Sequence, residues 1–244
     1  LAIESSCDDT SIAIVNDDKS VEFLETINHR KFHKDLGGVI PEMAARQHLE
    51  ILDILGKSIK KINFSKISAI AATFGPGLIG GLIVGSSFAK GLSISKNIKL
   101  VPINHLQAHL LSPRLVSEIK FPYLCLLVSG GNTALVLVKN SKSFITLGST
   151  IDDSAGECFD KVAKGLGLGY PGGPEIEHLA LGGNIEKFKL PMPLTKKNNC
   201  DFSFSGLKTA ALNTIKNNKK TKLFLRDFSA CLLYTSPSPR DTRR

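Results

Sequence analysis

Two stretches, Leu1-Ala2-Ile3-Glu4-Ser5-Ser6-Cys7-Asp8-Asp9-Thr10-Ser11-Ile12-Ala13-Ile14-Val15 and Leu124-Cys125-Leu126-Leu127-Val128-Ser129-Gly130-Gly131-Asn132-Thr133-Ala134-Leu135-Val136-Leu137-Val138, decide the fold because they repeat one pattern. An offset of 123 residues lays Leu1 to Leu24 on Leu124 to Leu147 without a gap. Leu1, Ser6, Thr10, Val15, Lys19, Ser20 and Leu24 then meet identical residues. Each copy reads as an apolar strand, a small polar turn, a second apolar strand, a polar turn and a third strand. The first turn is Ser5 to Thr10 in one copy and Val128 to Thr133 in the other. Layout and identities together point to an internal duplication.

Helical material follows each triple strand. Pro41 suits a helix start, and Ala45, His48, Leu52 and Leu55 keep helical spacing after it. Residues 67–73 predict a buried strand, Gly75-Pro76-Gly77 a turn, and residues to about Ser95 a helix. A strand over 99–103 leads to a helix beginning near Asn104, and in the second half helices are expected over 153–166 and 174–181. Two halves of three strands plus helices, each opening with a polar hairpin, describe the α/β architecture of actin, heat-shock-70 proteins and sugar kinases. The expected division is a first lobe over 1–118, an incomplete second lobe over 119–230, and a disordered tail foreign to the fold over 231–244. That tail is suggested by Tyr234-Thr235-Ser236-Pro237-Ser238-Pro239-Arg240.

With 244 residues, 42% apolar and 22% charged, the chain can bury a sizeable core. No apolar run is long enough to span a bilayer, so no membrane partner is expected and the chain reads as cytosolic in type. Five scattered cysteines without CxxC spacing argue against a disulfide framework and a four-thiolate zinc site. A net charge of +9 favours an anionic partner. Lys57, Lys60 and Lys61, and Lys216, Lys219, Lys220 and Lys222, form clusters suited to a phosphate backbone. No aromatics interleave them, so base stacking there is not expected.

Four motifs carry chemistry. His105 and His109 in Ile103-Asn104-His105-Leu106-Gln107-Ala108-His109 lie four apart, so on a helix both imidazoles can meet one metal ion. Leu106 stands where a zinc peptidase of the HExxH type needs its catalytic Glu. Leu127, Val128, Ser129, Gly130 and Gly131 end a strand with paired glycines, which let backbone N–H groups approach a ligand closely. Asp152 and Asp153 read as helix-capping acids, with Asp160 two turns later placed to hold ribose hydroxyls. Tyr170-Pro171-Gly172-Gly173-Pro174 is a rigid turn before a helix whose N-terminus favours anions. Asp8 and Asp9 bring like charges into the first hairpin, where a cation or ligand would balance them. Gly77, Gly81 and Gly85 read as a helix-packing ladder.

These pieces, with Ile3 to Thr10, Gly37-Gly38-Val39-Ile40-Pro41-Glu42, Gly75-Pro76-Gly77-Leu78 and Ser205-Gly206-Leu207-Lys208-Thr209, closely resemble the tRNA N6-adenosine threonylcarbamoyltransferase family, once described as O-sialoglycoprotein endopeptidases. The resemblance runs from Leu1 to about Ala230, and Asp201-Phe202-Ser203-Phe204-Ser205-Gly206 has the bacterial or mitochondrial wording. It implies transfer of threonylcarbamoyl from threonylcarbamoyl-adenylate to N6 of adenosine 37 in tRNAs that read codons starting with A. It implies one divalent metal ion on His105 and His109, iron with zinc as the alternative. Leu127 to Gly131, Asp160 and Gly173 would bind the substrate, and Asp8 or Asp9 would take the amine proton. In bacteria it implies a small inactive paralogue and a P-loop ATPase as partners.

Asn132 and Asn104 stand where members of the family often carry His. A later Asp metal ligand and a glycine-rich adenosine-binding segment of the family have no counterpart here, so this form is expected to be inactive and poorly stable. The rivals are an ATPase or kinase of the same fold, a metalloendopeptidase disfavoured by Leu106, and a silent paralogue acting as scaffold, which should lack the histidine pair.

Overall fold

The computed structural model describes residues 1–29, 39–59, 62–194 and 198–236. Gly37, Gly38, Lys60 and Lys61 lie outside them. The chain divides into two compact units, Leu1–Glu118 and Ile119–Arg244. Each repeats the predicted opening of strand, turn, strand, turn, strand. Each unit is α/β and opens with the strand pattern that the duplication implies.

In the first unit β1 (Ala2–Glu4), β2 (Asp9–Val15) and β3 (Val21–Asn28) form an antiparallel meander, and β4 (Ala69–Gly75) and β5 (Lys99–Asn104) extend it in parallel. The sheet order is β3-β2-β1-β4-β5. Alternation in β2 turns Thr10, Ile12 and Ile14 inward. Helix α1 (Pro41–Ile59) buries Ala44, His48, Ile51, Leu52, Leu55 and Ile59, the stripe that helical spacing predicts. With α2 (Ile79–Lys96) it closes a core around Ile3, Ile12, Ile70 and Ala89. Helix α3 (His105–Leu111) follows β5 directly and α4 (Pro113–Val116) ends the unit.

In the second unit β6 (Tyr123–Val128), β7 (Thr133–Asn140) and β8 (Ser143–Ser149) form an antiparallel sheet in that order. The offset of the repeat carries β1, β2 and β3 onto β6, β7 and β8. Helices α5 (Ala155–Leu166), α6 (Gly172–Ala180), α7 (Ser205–Lys216) and α8 (Lys222–Thr235) bury Cys158, Val162, Ile176, Phe204, Leu207, Phe228 and Leu232 together. On the edge strand β6, Leu124, Leu126 and Val128 are exposed.

Three expectations are corrected. The order of the second unit does not stop near Ala230: α8 continues to Thr235, with Cys231, Leu232 and Thr235 buried, because their helical spacing faces α6 and the loop at Asn184. Residues 237–244 lie outside the described residues. Helix α5 begins at Ala155 rather than at 153, since Ser154 caps it by accepting from Glu157 N. Helix α6 begins at Gly172 rather than at Pro174.

Candidate functional site

The histidine pair is placed by a short helix whose start the sequence specifies. Asn104 ends β5 and its side chain accepts from Gln107 N at 3.0 Å, which caps the helix. The helix then projects His105 and His109 from one face. Their Nε2 atoms are 3.2 Å apart and the rings meet edge to face. Two metal–nitrogen bonds of about 2.0–2.1 Å at a tetrahedral angle separate their nitrogens by about 3.3 Å. The pair therefore fits one shared ion. Among the described residues no third His, Cys, Asp or Glu completes a cluster with it. Partial burial pushes the His109 imidazole below its ordinary value and the neighbouring His105 adds to this, so His109 is neutral and can act as a ligand at pH 7.

Beneath the pair sits Glu4, which sequence reasoning passed over. Its Oε1 accepts from Ser6 N at 2.6 Å, its Oε2 accepts from the Thr73 hydroxyl, and His105 Nδ1 lies 3.4 Å from Oε2. Burial pushes this carboxyl up, but hydrogen bonds from His105, Ser6 and Thr73 outweigh it and hold it at about 2. Glu4 is ionised throughout the physiological range. The available signal was a charged residue closing the apolar run Leu1-Ala2-Ile3.

The first hairpin rests on a buried relay. His48 Nε2 is 3.2 Å from the Cys7 carbonyl, which can only accept, so this nitrogen carries the proton. With the proton on Nε2, His48 Nδ1 can accept from the Thr10 hydroxyl at 2.8 Å, and Thr10 Oγ1 can then accept from His29 Nε2 at 2.9 Å. Both rings are fully buried. Thr10→Val removes a donor and an acceptor facing two buried imidazoles, so it should cost about 2–4 kcal/mol in a urea titration. A loss below about 0.5 kcal/mol would contradict the relay.

Asp8 and Asp9 lie half-buried where this hairpin enters β2; Asp8 O accepts from His29 N at 2.9 Å. Desolvation in the hairpin and then the charge of Asp8 push the Cys7 thiol up to about 12, which removes it as a nucleophile.

In the second unit, Ser129 N donates to Asn132 O at 2.8 Å and Asn132 N to Ser129 Oγ at 3.0 Å, closing the turn after Leu127 and Val128. A Cβ at Gly130 or Gly131 would meet nothing within 4 Å and neither backbone has positive φ, so packing inside the chain does not demand glycine at either. By contrast, a Cβ at Gly156 would lie 2.4 Å from Ser129 O, so the start of α5 presses against this turn. Ser154 Oγ donates to Gly130 O at 2.6 Å and Ala155 N to Thr133 Oγ1 at 2.9 Å.

Asp160 Oδ1 accepts from Gly172 N at 2.7 Å, tying α5 to the start of α6, and Gly173 has open space where a Cβ would be. The two aspartates expected as helix caps do other work. Asp152 accepts from Phe204 N and Ser205 N and from the hydroxyls of Ser203 and Ser205, and Asp153 pairs with Lys208. The Asp-Asp and Ser-Gly-Leu-Lys motifs are thus one clamp. Partial burial pushes Asp152 up, yet its four donors hold it at about 2.

The site residues fall into two sets. Asp8, Asp9, His105 and His109 belong to the first unit; Leu127, Val128, Ser129, Gly130, Gly131, Asp160 and Gly173 belong to the second. Gly77, Gly81 and Gly85 are packing glycines: a Cβ at each would lie 2.7, 2.3 and 2.0 Å from atoms of Ser5 or Ser6.

A family profile described as tRNA N6-adenosine threonylcarbamoyltransferase matches residues 22–235. Proteins of that name from Wolbachia pipientis wMel and Rickettsia canadensis are 50% and 48% identical to the chain over 233 and 239 residues, covering 94% and 96% of it and 69% and 70% of their own length. One from Paramagnetospirillum magneticum is 48% identical over 214 residues, covering 86% of the chain and 62% of its own. The chain thus spans about two thirds of the length of these relatives. Among solved structures, YeaZ from Pseudomonas aeruginosa is similar at a TM-score of 0.38 and 15% identity, over 59% of this chain and 62% of that one.

Proposed function

Because the chain belongs to the tRNA N6-adenosine threonylcarbamoyltransferase family, whose function is to form threonylcarbamoyladenosine in tRNA, we propose that its donor is threonylcarbamoyl-adenylate and its acceptor is N6 of adenosine 37 in tRNAs reading codons that start with A. The observation that carries this reading is the convergence of His105 and His109 Nε2 at 3.2 Å above a fixed carboxylate. His105 and His109 would hold one divalent ion, iron or alternatively zinc. When bound, such an ion supplies Lewis acidity toward the oxygens of the threonylcarbamoyl group.

The chain's own groups do the rest. The N6 amine attacks the carbamoyl carbon, the new N–C bond forms, and the C–O bond to the adenylate phosphate breaks, releasing AMP. Asp8 or Asp9 takes the proton that the amine loses. Backbone and hydroxyl donors from Leu127 to Gly131 face the acyl and phosphate oxygens as negative charge develops. Asp160, held by Gly172 N, and the open backbone at Gly173 position the adenylate. The +9 charge suits the tRNA.

In bacteria a small inactive paralogue and a P-loop ATPase would complete the machinery in the cytoplasm; a mitochondrial member would work in the matrix with fewer partners. Among the described residues no helix is long and apolar enough to cross a membrane. The protein at the full length of its relatives should convert adenosine to threonylcarbamoyladenosine in tRNA given the adenylate, and should not hydrolyse ATP steadily by itself. Steady ATP hydrolysis without tRNA, with no modified nucleoside, would favour the kinase-like reading instead.

A further inference from the structure

Glu4 ends β1 and is the only side chain that touches both β4, through Thr73, and the first residue of α3, His105, in the hydrogen bonds of the described residues. A carboxylate with two oxygens anchored this way has no freedom to turn away: Ser6 N holds Oε1 at 2.6 Å and the Thr73 hydroxyl holds Oε2. His105 Nδ1 faces Oε2 at 3.4 Å and Ser6 Oγ at 3.1 Å. An ionised carboxylate only accepts. The carboxylate therefore asks Nδ1 to donate, and the Ser6 hydroxyl can accept the same proton.

We propose that Glu4 is the positioning residue of the histidine pair: it fixes His105 in the tautomer with the proton on Nδ1, and so leaves the Nε2 lone pair free beside His109 Nε2 to bind a metal ion. Carboxylates in this relation to a ligating imidazole fix ring orientation and raise its basicity. The other hydrogen-bond neighbours of the ring, the Ser6 hydroxyl and His109 Nε2, can each donate or accept, so neither selects the tautomer by itself. The proposal rests on the metal reading above.

Two measurements on the 244-residue chain test it. The first uses nitrogen-15 histidine spectra at about pH 8, where imidazoles are neutral. In the unsubstituted chain His105 should show the Nδ1–H tautomer; the Nε2–H tautomer would overturn the proposal, and this reading needs no variant to fold. The second titrates zinc ion alone. Glu4→Gln keeps the side chain's shape but removes its charge, and should weaken zinc binding about 10–100-fold with unchanged helix content. Unweakened binding in folded Glu4→Gln would overturn the proposal. The variant His105→Ala/His109→Ala separates the two layers: it should lose zinc binding outright, and retained binding would overturn the metal reading and the role of Glu4 with it.

Discussion

In the protein at the full length of its relatives, replacing His105 and His109 together with Ala should strip the metal and lower threonylcarbamoyl transfer by on the order of 10³-fold or more. The expectation follows from placement. Both imidazoles leave one face of α3, whose start is set by the Asn104 cap, and their Nε2 atoms are already at the separation that a shared ion requires. Neither ring is part of a hydrophobic core, and His109 is exposed, so the double variant should stay folded. The loss would then be chemical and not structural. Elemental analysis beside initial rates of transfer checks it. Full metal occupancy in the double variant, or transfer within threefold of the unsubstituted protein, would remove the pair from the mechanism.

A large stability effect should come from Gly81→Ala. A Cβ at this position would lie 2.3 Å from the Ser5 carbonyl oxygen and 2.8 Å from His48 Cδ2. One of those atoms is backbone and the other belongs to a fully buried ring, so neither can yield cheaply. Helix α2 must move off β1, at a cost of about 3 kcal/mol. The displaced segment includes Ser6, which touches His105 Nδ1, so metal affinity should fall as well. Gly173→Ala is the control, because its Cβ meets nothing within 4 Å. Urea titration of the two variants checks the pair. A Gly81→Ala protein as stable as Gly173→Ala would show that the glycine ladder is not a packing device.

Much of this was readable in the chain because it rests on local rules. Strand periodicity and the repeat located β1 to β3 and β6 to β8, and the spacing of Ala45, His48, Leu52 and Leu55 located α1. The histidine pair was legible because its geometry is set by four residues of one helix. What escaped depends on contacts between distant segments. Glu4 meets His105 across 101 residues, and Asp152 meets the segment from Ser203 to Ser205 across more than 50. From spacing alone, Asp152 and Asp153 beside a helix start read as caps; the nearer cap, Ser154, took that role and freed both acids for α7. The burial of His48 was implied by its place on the apolar stripe of α1, yet its partner Thr10 lies 38 residues away on β2. The end of the second unit was misplaced because Pro and Ser after Tyr234 masked the helical spacing of Phe228, Cys231, Leu232 and Thr235.

The proposed activity is transfer of threonylcarbamoyl to adenosine 37 of tRNA. The most direct measurement is nucleoside mass analysis of two transcripts of one tRNA, one with adenosine and one with guanosine at position 37. Each is incubated with threonylcarbamoyl-adenylate, partner subunits and the protein at the full length of its relatives. Threonylcarbamoyladenosine is expected in the first transcript and none in the second. Equal modification of both transcripts, or of neither, would contradict it.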